Sequence, residues 1–139
     1  MIKKILASIL VFPLLVIPFM FKAEAEAPEP VIKTTWTVEE VKVLVNKYAD
    51  TYGVSRSVLN RVVSCESQYN YKAVNWKDSH RLSNGSHGVA QFSRETFLGF
   101  AKQMGKDYYD DPYNPEQSLD VMSWAISKGY GNHWSCYTK

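Results

Sequence analysis

One carboxylate, Glu66, stands out because it falls on the apolar face of a predicted helix. Partial burial there would raise the pKa of the carboxyl group by disfavouring its charged form, as a general acid working near neutral pH requires. The alternative is a solvent-exposed glutamate at a helix end, and spacing alone does not choose between the two. The apolar residues that precede it at i, i+3, i+4 spacing are Val58, Leu59, Val62 and Val63.

The elements that must position Glu66 are predicted to be helices. A capping box precedes a run of apolar residues at helical spacing, and Gly53 supplies the stop. No strand pattern of any length competes with the helices, so the predicted fold class is all-α or mostly α. The four helices are predicted to begin at Thr37, Ser55, Ser93 and Pro115, and to end at Gly53, around Tyr69 and Asn70, at Gly105 and at Gly129.

The stretch between the second and third helices, residues 71–88, is polar and rich in Asn, Ser and His. This composition predicts a long loop, with a small hairpin around Asn84 and Gly85. Loops of this length in compact domains are usually functional or mobile. Because the loop follows Glu66 closely in the chain, its residues are candidates for the same site.

The N-terminus is typical of an export signal. Two lysines precede an apolar stretch over residues 5–21, and a small-x-small cleavage pattern ends at Ala25. The alternative is an uncleaved membrane anchor, although Pro13 and Pro18 argue against a straight spanning helix. Either route places the domain outside the cytoplasm, in the periplasm or the extracellular space. The predicted organisation is a signal peptide at 1–25, a linker at 26–35 and a folded domain at 36–139.

Cys65 and Cys136 are the only two cysteines in the chain. An even number of cysteines in an exported protein predicts one disulfide between them, and two thiols are too few for a structural zinc site. The bridge would close a loop of about 70 residues. It would tie the C-terminal tail to the segment that carries Glu66.

Composition and charge exclude several classes of protein. The hydrophobic share of 45% and the charged share of 22% in 139 residues are those of a single globular domain, not of a disordered or fibrous chain. Beyond residue 25 the chain carries 13 basic and 13 acidic residues. No basic run or face therefore indicates a nucleic-acid partner.

Three short motifs follow one another between Gly53 and Ser127. In the first motif, the second helix ends in Glu66-Ser67, and an aromatic residue and Asn follow shortly after. In the second, residues 88–91 are a Gly, two apolar residues and Gln. In the third, an Asn-Pro pair opens the fourth helix. In this order the motifs resemble the soluble lytic transglycosylase-like (SLT) domain of the lysozyme-like superfamily. The resemblance implies a lysozyme-like fold and a peptidoglycan substrate. It further implies an enzyme that is monomeric and needs no cofactor.

The same resemblance implies a mechanism. Glu66, as sole catalytic acid and base, would protonate the β-1,4 glycosidic oxygen between N-acetylmuramic acid (MurNAc) and N-acetylglucosamine (GlcNAc). The resulting carboxylate would then deprotonate the muramic 6-hydroxyl, which attacks its own anomeric carbon and leaves a 1,6-anhydro end. Ser67 and Gln91 carry over as substrate-binding residues, and Gly88 as a point where backbone approaches the sugar closely.

The aromatic residues complete the expected site. The Ala-Tyr-Asn-Ala-Gly motif of the family is missing here, and Tyr130 is the candidate to replace its tyrosine. Trp76, Tyr71 and Trp134 have flat faces on which sugars can stack, and the alternative is that they fill the core. For Trp134 the core is favoured, because it neighbours the predicted disulfide.

Two rival readings remain open from the sequence. A hydrolase of the same glycan would need a bound water or a second carboxylate at about 5 to 9.5 Å from the acid, and Asp78 is the nearby candidate, with an Asx turn as its alternative. A catalytically silent wall-binding module is the other reading, against which the intact Glu66 and Gln91 argue. His80 and His87 could join Asp78 at a metal, but scattered histidines in a Ser- and Asn-rich loop favour no metal site.

Overall fold

The computed structural model describes residues 33–77 and 85–138, which form four α-helices and a small antiparallel sheet. This confirms the mostly α fold. Of the sequence predictions, the signal at 1–25, most of the linker, Asp78, His80 and Asn84 lie outside the described residues. The elements are α1 (Val38–Tyr52), α2 (Arg56–Ser67), β1 (Val74–Asn75), β2 (Ser86–His87), α3 (Arg94–Gln103), α4 (Pro115–Ser127) and a short 3₁₀ helix (Gly131–His133).

Helices α1, α3 and α4 begin at residues whose side chains cap them, whereas Ser55, the predicted cap of α2, precedes that helix without a side-chain capping hydrogen bond. Thr37 and Glu40 form both hydrogen bonds of a capping box at α1, and Gly53 ends that helix in a left-handed conformation. The Ser93 hydroxyl accepts the Thr96 N–H at the start of α3. At α4 an Asn side chain accepts two main-chain N–H groups directly before the proline. These starts are local, which is why the sequence shows them.

Helix α2 ends earlier than predicted, at Ser67 instead of around residues 69–70. Gln68 and Tyr69 both have left-handed backbones, with φ values of 54° and 62°. The reversal lets the Tyr69 hydroxyl donate back to the Asn60 carbonyl at 3.2 Å, with its ring against the core. The aromatic ring of Tyr69 continues the apolar helical pattern of the sequence, although the backbone has already left the helix. The pattern therefore predicts an end that is too late.

The predicted hairpin is present, but the turn expected at Asn84-Gly85 stays a prediction because Asn84 lies outside the described residues. Strand β1 pairs antiparallel with β2, with Val74 opposite His87. Residues 78–84, between the two strands, lie outside the described part of the chain.

The core lies between α1, α2, α3 and α4, and α4 is buried on most of its surface. Within the described residues no helix has the length and apolar character of a membrane span. The fully buried large side chains come from all four helices and from the segment after β2: Val41, Val45, Leu59, Val62, Val63, Val89, Phe97, Leu119, Val121 and Met122.

A buried polar cluster joins α1 to α4. The Asp120 carboxylate is 2% exposed and receives hydrogen bonds from the hydroxyls of Tyr52 and Tyr109 and from the Lys106 ammonium group. Burial, together with the hydrogen bond to Asp120, raises the pKa of both tyrosines well above the usual value of 10. The charge on Asp120 is thus paired and fully hydrogen-bonded, as a buried carboxylate must be.

The segment after α4 folds back across the end of α2. The contacts that hold it include two hydrogen bonds and one covalent bond. They are the Trp134 indole N–H to the Ala90 carbonyl at 2.7 Å, the Arg61 guanidinium to the Tyr137 carbonyl at 2.8 Å, and the Cys65–Cys136 disulfide that the sequence predicts, with cysteines 71 positions apart.

Candidate active site

The end of α2, the segment leading into β1 and the C-terminal segment enclose an open cleft with a volume of about 580 Å³. That size is within the range of small-ligand sites. Its walls are mostly polar. The lining residues are Cys65, Glu66, Ser67, Gln68, Ala73, Val74, Asn75, Gln91, Ser135 and Cys136.

Glu66 lies on the wall of this cleft, in the last turn of α2. Its side chain is partly buried, as the apolar face of the helix predicts. The main-chain N–H of Cys136 donates to Glu66 Oε1 at 3.4 Å. The carboxyl group is therefore held between its own helix and the C-terminal segment, with one oxygen engaged by a main-chain donor.

Ser67, the next residue, is buried at 8% exposure although it borders the cleft. Its hydroxyl lies 2.8 Å from the Val89 carbonyl oxygen and 3.1 Å from the Val63 carbonyl oxygen, and it acts as donor to both. These contacts join the end of α2 to the segment after β2. Direct contact between Ser67 and substrate stays a prediction, and what the structure adds is a role in fixing the backbone beside Glu66.

Gln91 also lines the cleft and has a left-handed backbone with φ of 50°. Its amide nitrogen donates to the carbonyls of Gly88 at 2.9 Å and Ala73 at 3.3 Å. Both amide hydrogens are thus used within the protein, and the group left to meet a ligand is the amide oxygen. Gln91 also lines a smaller pocket of about 70 Å³, together with Trp134 and His133.

Gly88 is required by a contact within the protein. Its φ is +71°, and a Cβ placed there would lie 2.1 Å from the Pro112 carbonyl oxygen. Its N–H donates to the Ala73 carbonyl at 2.9 Å. The close approach expected at this glycine is therefore made by the turn before α4, and a contact with sugar stays a prediction.

Trp76 is 72% exposed and directly follows the cleft-lining residue Asn75. Its indole ring contacts the His87 imidazole edge to face, with centroids 6.2 Å apart. The His87 ring is in turn hydrogen-bonded through Nδ1 to the Tyr113 hydroxyl at 2.7 Å. A large flat side chain that is both exposed and supported suits stacking on a sugar ring.

The remaining predicted residues lie apart from the cleft wall. Tyr130 is 41% exposed and packs on Phe100, with centroids 5.2 Å apart, outside the set that lines the cleft. Trp134 is 4% exposed and belongs to the core, as favoured. Tyr71 is partly buried against the core. The role of Tyr130 in substrate binding stays a prediction.

The described residues, 33–77 and 85–138, contain no group of three or more His, Cys, Asp or Glu side chains placed to hold a metal ion. His87 is committed to Tyr113 and Trp76. Since Asp78 and His80 are outside this part of the chain, the metal alternative that combined them with His87 has no described geometry.

Sequence reasoning missed the contribution of the C-terminal segment, whose Ser135 and Cys136 form one wall of the cleft. The pattern of side chains in a sequence does not indicate which main-chain N–H groups make contacts, so the Cys136 N–H could not be predicted as the donor to Glu66. The available signal was the predicted disulfide, since bridging Cys65 brings residue 136 next to Glu66.

No curated protein and no solved structure matches the chain significantly. Residues 43–138 match the family described as Transglycosylase SLT domain, and this range covers α2, the hairpin and the whole cleft. The chain therefore belongs to the transglycosylase SLT domain family, whose members act on peptidoglycan.

Proposed function

We propose that the protein is a peptidoglycan lytic transglycosylase in which Glu66 is the one catalytic acid and base. The observation that carries the proposal is the placement of Glu66, partly buried in the wall of an open cleft within a chain of this family. The bond cleaved is the β-1,4 linkage from MurNAc to GlcNAc, and the product ends in 1,6-anhydro-MurNAc.

Both chemical steps use the same carboxyl group. The protonated Glu66 carboxyl group transfers its proton to the glycosidic oxygen as the bond to the anomeric carbon breaks, while the Cys136 N–H donates to Oε1. The carboxylate formed then accepts the proton of the muramic 6-hydroxyl, whose oxygen closes the anhydro ring. The nucleophile belongs to the same sugar, which gives it the high effective concentration of an intramolecular group.

Two groups on the cleft would orient the glycan. The amide oxygen of Gln91 accepts an O–H or N–H from a sugar, since its amide hydrogens are engaged elsewhere. Trp76, the residue after the cleft-lining Asn75, has an exposed ring on which a sugar could stack. Ser67, Gly88 and the more distant Tyr130 complete the proposed substrate-binding set.

The proposal includes an exported, monomeric protein. Residues 1–25 act as its signal peptide or as an uncleaved anchor, residues 26–35 as a linker, and 36–139 as the catalytic domain. Its place of action is then the periplasm or the extracellular space, where peptidoglycan is found.

The test is the Glu66→Gln variant, which keeps the shape of the side chain and removes the acid. Cleavage of purified peptidoglycan should fall by about 100-fold or more, because loss of general acid–base catalysis costs that much. The thermal unfolding midpoint should stay nearly unchanged. Glu95→Gln, at an exposed position in the first turn of α3, serves as the matched control and should cleave like the wild type.

Full activity of Glu66→Gln would remove the central role of this residue. Asp78→Asn separates the hydrolase from the transglycosylase: a mild effect agrees with the proposal, whereas a loss equal to that of Glu66→Gln favours hydrolysis assisted by Asp78. Absence of turnover in the wild type would leave the silent wall-binding module.

A further inference from the structure

The cysteine pair lies directly at the catalytic cleft. Cys65 precedes Glu66 in the last turn of α2, and both cysteines line the same cleft as the carboxyl group. We propose that the Cys65–Cys136 disulfide is a positioning element for Glu66, which makes glycan cleavage dependent on the oxidised state of this pair. The inference rests on the proposed function, since Glu66 must be the acid for its position to matter.

The bridge and the hydrogen bond close one short ring of atoms. The ring runs from the Glu66 carboxyl group through the main chain to Cys65, across the disulfide to Cys136, and back from the Cys136 N–H to Oε1 at 3.4 Å. The donor is thus attached covalently to the residue next to its acceptor. Because helix α2 fixes the main chain between Cys65 and Glu66, the disulfide limits where the N–H can lie relative to the carboxyl oxygens.

The rest of the C-terminal segment has anchors of its own. The Trp134 ring is buried and donates to the Ala90 carbonyl, and the Tyr137 carbonyl accepts from Arg61. Without the disulfide the segment should therefore remain docked through Trp134. Cys136 lies between these two anchors, and the disulfide is its covalent link to α2.

Loss of this restraint has a defined chemical consequence. The Cys136 N–H is one of the contacts of the Glu66 carboxyl group, so a displaced donor shifts the position of that group in the cleft. Misplacement of a catalytic group by about 1 Å can cost about 100-fold in rate. We expect kcat to fall about 10- to 100-fold while KM changes by less than about 3-fold, because the rest of the cleft is retained.

The experiment uses the exported domain and purified glycan chains at 25 °C. The disulfide is removed in two ways: by the double variant Cys65→Ser/Cys136→Ser, and by a dithiol reductant, which transfers two electrons and two protons to the bridge and is itself oxidised to a cyclic disulfide. Far-ultraviolet circular dichroism establishes that both forms are folded. Gly105→Ala is the control for a general loss of stability, since this left-handed position lies outside the cleft-lining set.

Reoxidation of the reduced wild type should restore kcat, and Gly105→Ala should show wild-type kcat. A second readout does not depend on activity. In the oxidised proteins, the chemical shift of the Cys136 amide proton should differ between the wild type and Glu66→Gln. After both proteins are reduced, most of that difference in chemical shift should disappear. Folded, reduced protein with wild-type kcat would overturn the inference, as would an amide resonance indifferent to Glu66.

The failures of the two proposals are distinguishable. If oxidised wild type cleaves glycan and Glu66→Gln does not, but reduction has no effect, the function stands and only the positioning role is lost. If oxidised wild type does not cleave, or Glu66→Gln cleaves fully, the proposed function itself fails.

Discussion

Replacement of Gly88 by alanine should destabilise the protein in two ways, by a steric clash of the added Cβ and by backbone strain. The two contributions to the free energy of unfolding can be measured separately. The backbone at Gly88 has φ of +71°, and an added Cβ would lie 2.1 Å from the Pro112 carbonyl oxygen and 3.3 Å from the Tyr113 Cα. Ordinary carbon contacts are about 3.5–4.0 Å, so the two segments would have to separate by more than about 1 Å.

Neither segment is free to move away. Gly88 is hydrogen-bonded to Ala73 at 2.9 Å, and the turn opposite is held by the hydrogen bond between Tyr113 and His87 at 2.7 Å. A left-handed residue with a side chain costs about 1–2 kcal/mol, and overpacking adds about 1–3 kcal/mol. The free energy of unfolding of Gly88→Ala should therefore fall by about 2–5 kcal/mol.

Gly105→Ala is the matched control because Gly105 has the same φ, +71°, with no heavy atom within 4 Å of an added Cβ. It should lose only the backbone part, about 1–2 kcal/mol. Urea unfolding followed by tryptophan fluorescence, with the slope m compared among the three proteins, measures both losses. Equal destabilisation of the two variants would refute the steric argument.

The other predictions concern the buried cluster around Asp120 and the exposed Trp76. Asp120→Asn should lower the free energy of unfolding by about 3 kcal/mol, because Lys106 loses its buried partner; a loss below 1 kcal/mol in urea unfolding would contradict this. The raised pKa of the Tyr52 and Tyr109 hydroxyls keeps them protonated in the folded state while the unfolded phenols ionise near pH 10, so stability present below about pH 10 is lost as pH rises above it. Replacing both tyrosines by Phe should flatten that alkaline decline in thermal melts, and an unchanged slope would argue against the cause given. Trp76→Ala should raise KM for glycan about 3- to 10-fold with little change in kcat, whereas an unchanged KM would exclude stacking.

Local signals predicted most of the fold. The starts of α1, α3 and α4 follow from capping side chains that act within three residues, so Thr37, Ser93 and Asn114 were sufficient. The end of α2 was missed by two residues because Tyr69 packs on the core while its backbone is left-handed. That choice is made by tertiary contacts, which periodicity does not contain.

The candidate site was predictable in its side chains and not in its backbone contacts. Glu66 and Gln91 both line the cleft, and the apolar face together with the motif order pointed to them. Gly88 was expected to approach sugar, and the structure places the Pro112 carbonyl against it instead. The donor from Cys136 depends on a contact between residues 70 positions apart, made by a main-chain group that every residue except proline possesses.

The chemical identity of the cleaved ends tests the central claim most directly. Purified peptidoglycan is digested with the oxidised protein, and the soluble fragments are treated with borohydride and weighed by mass spectrometry. Single-carboxylate catalysis by Glu66 predicts 1,6-anhydro ends, which lack one water and do not take up hydrogen from borohydride. Reducing ends that do take it up would contradict the account and establish a hydrolase.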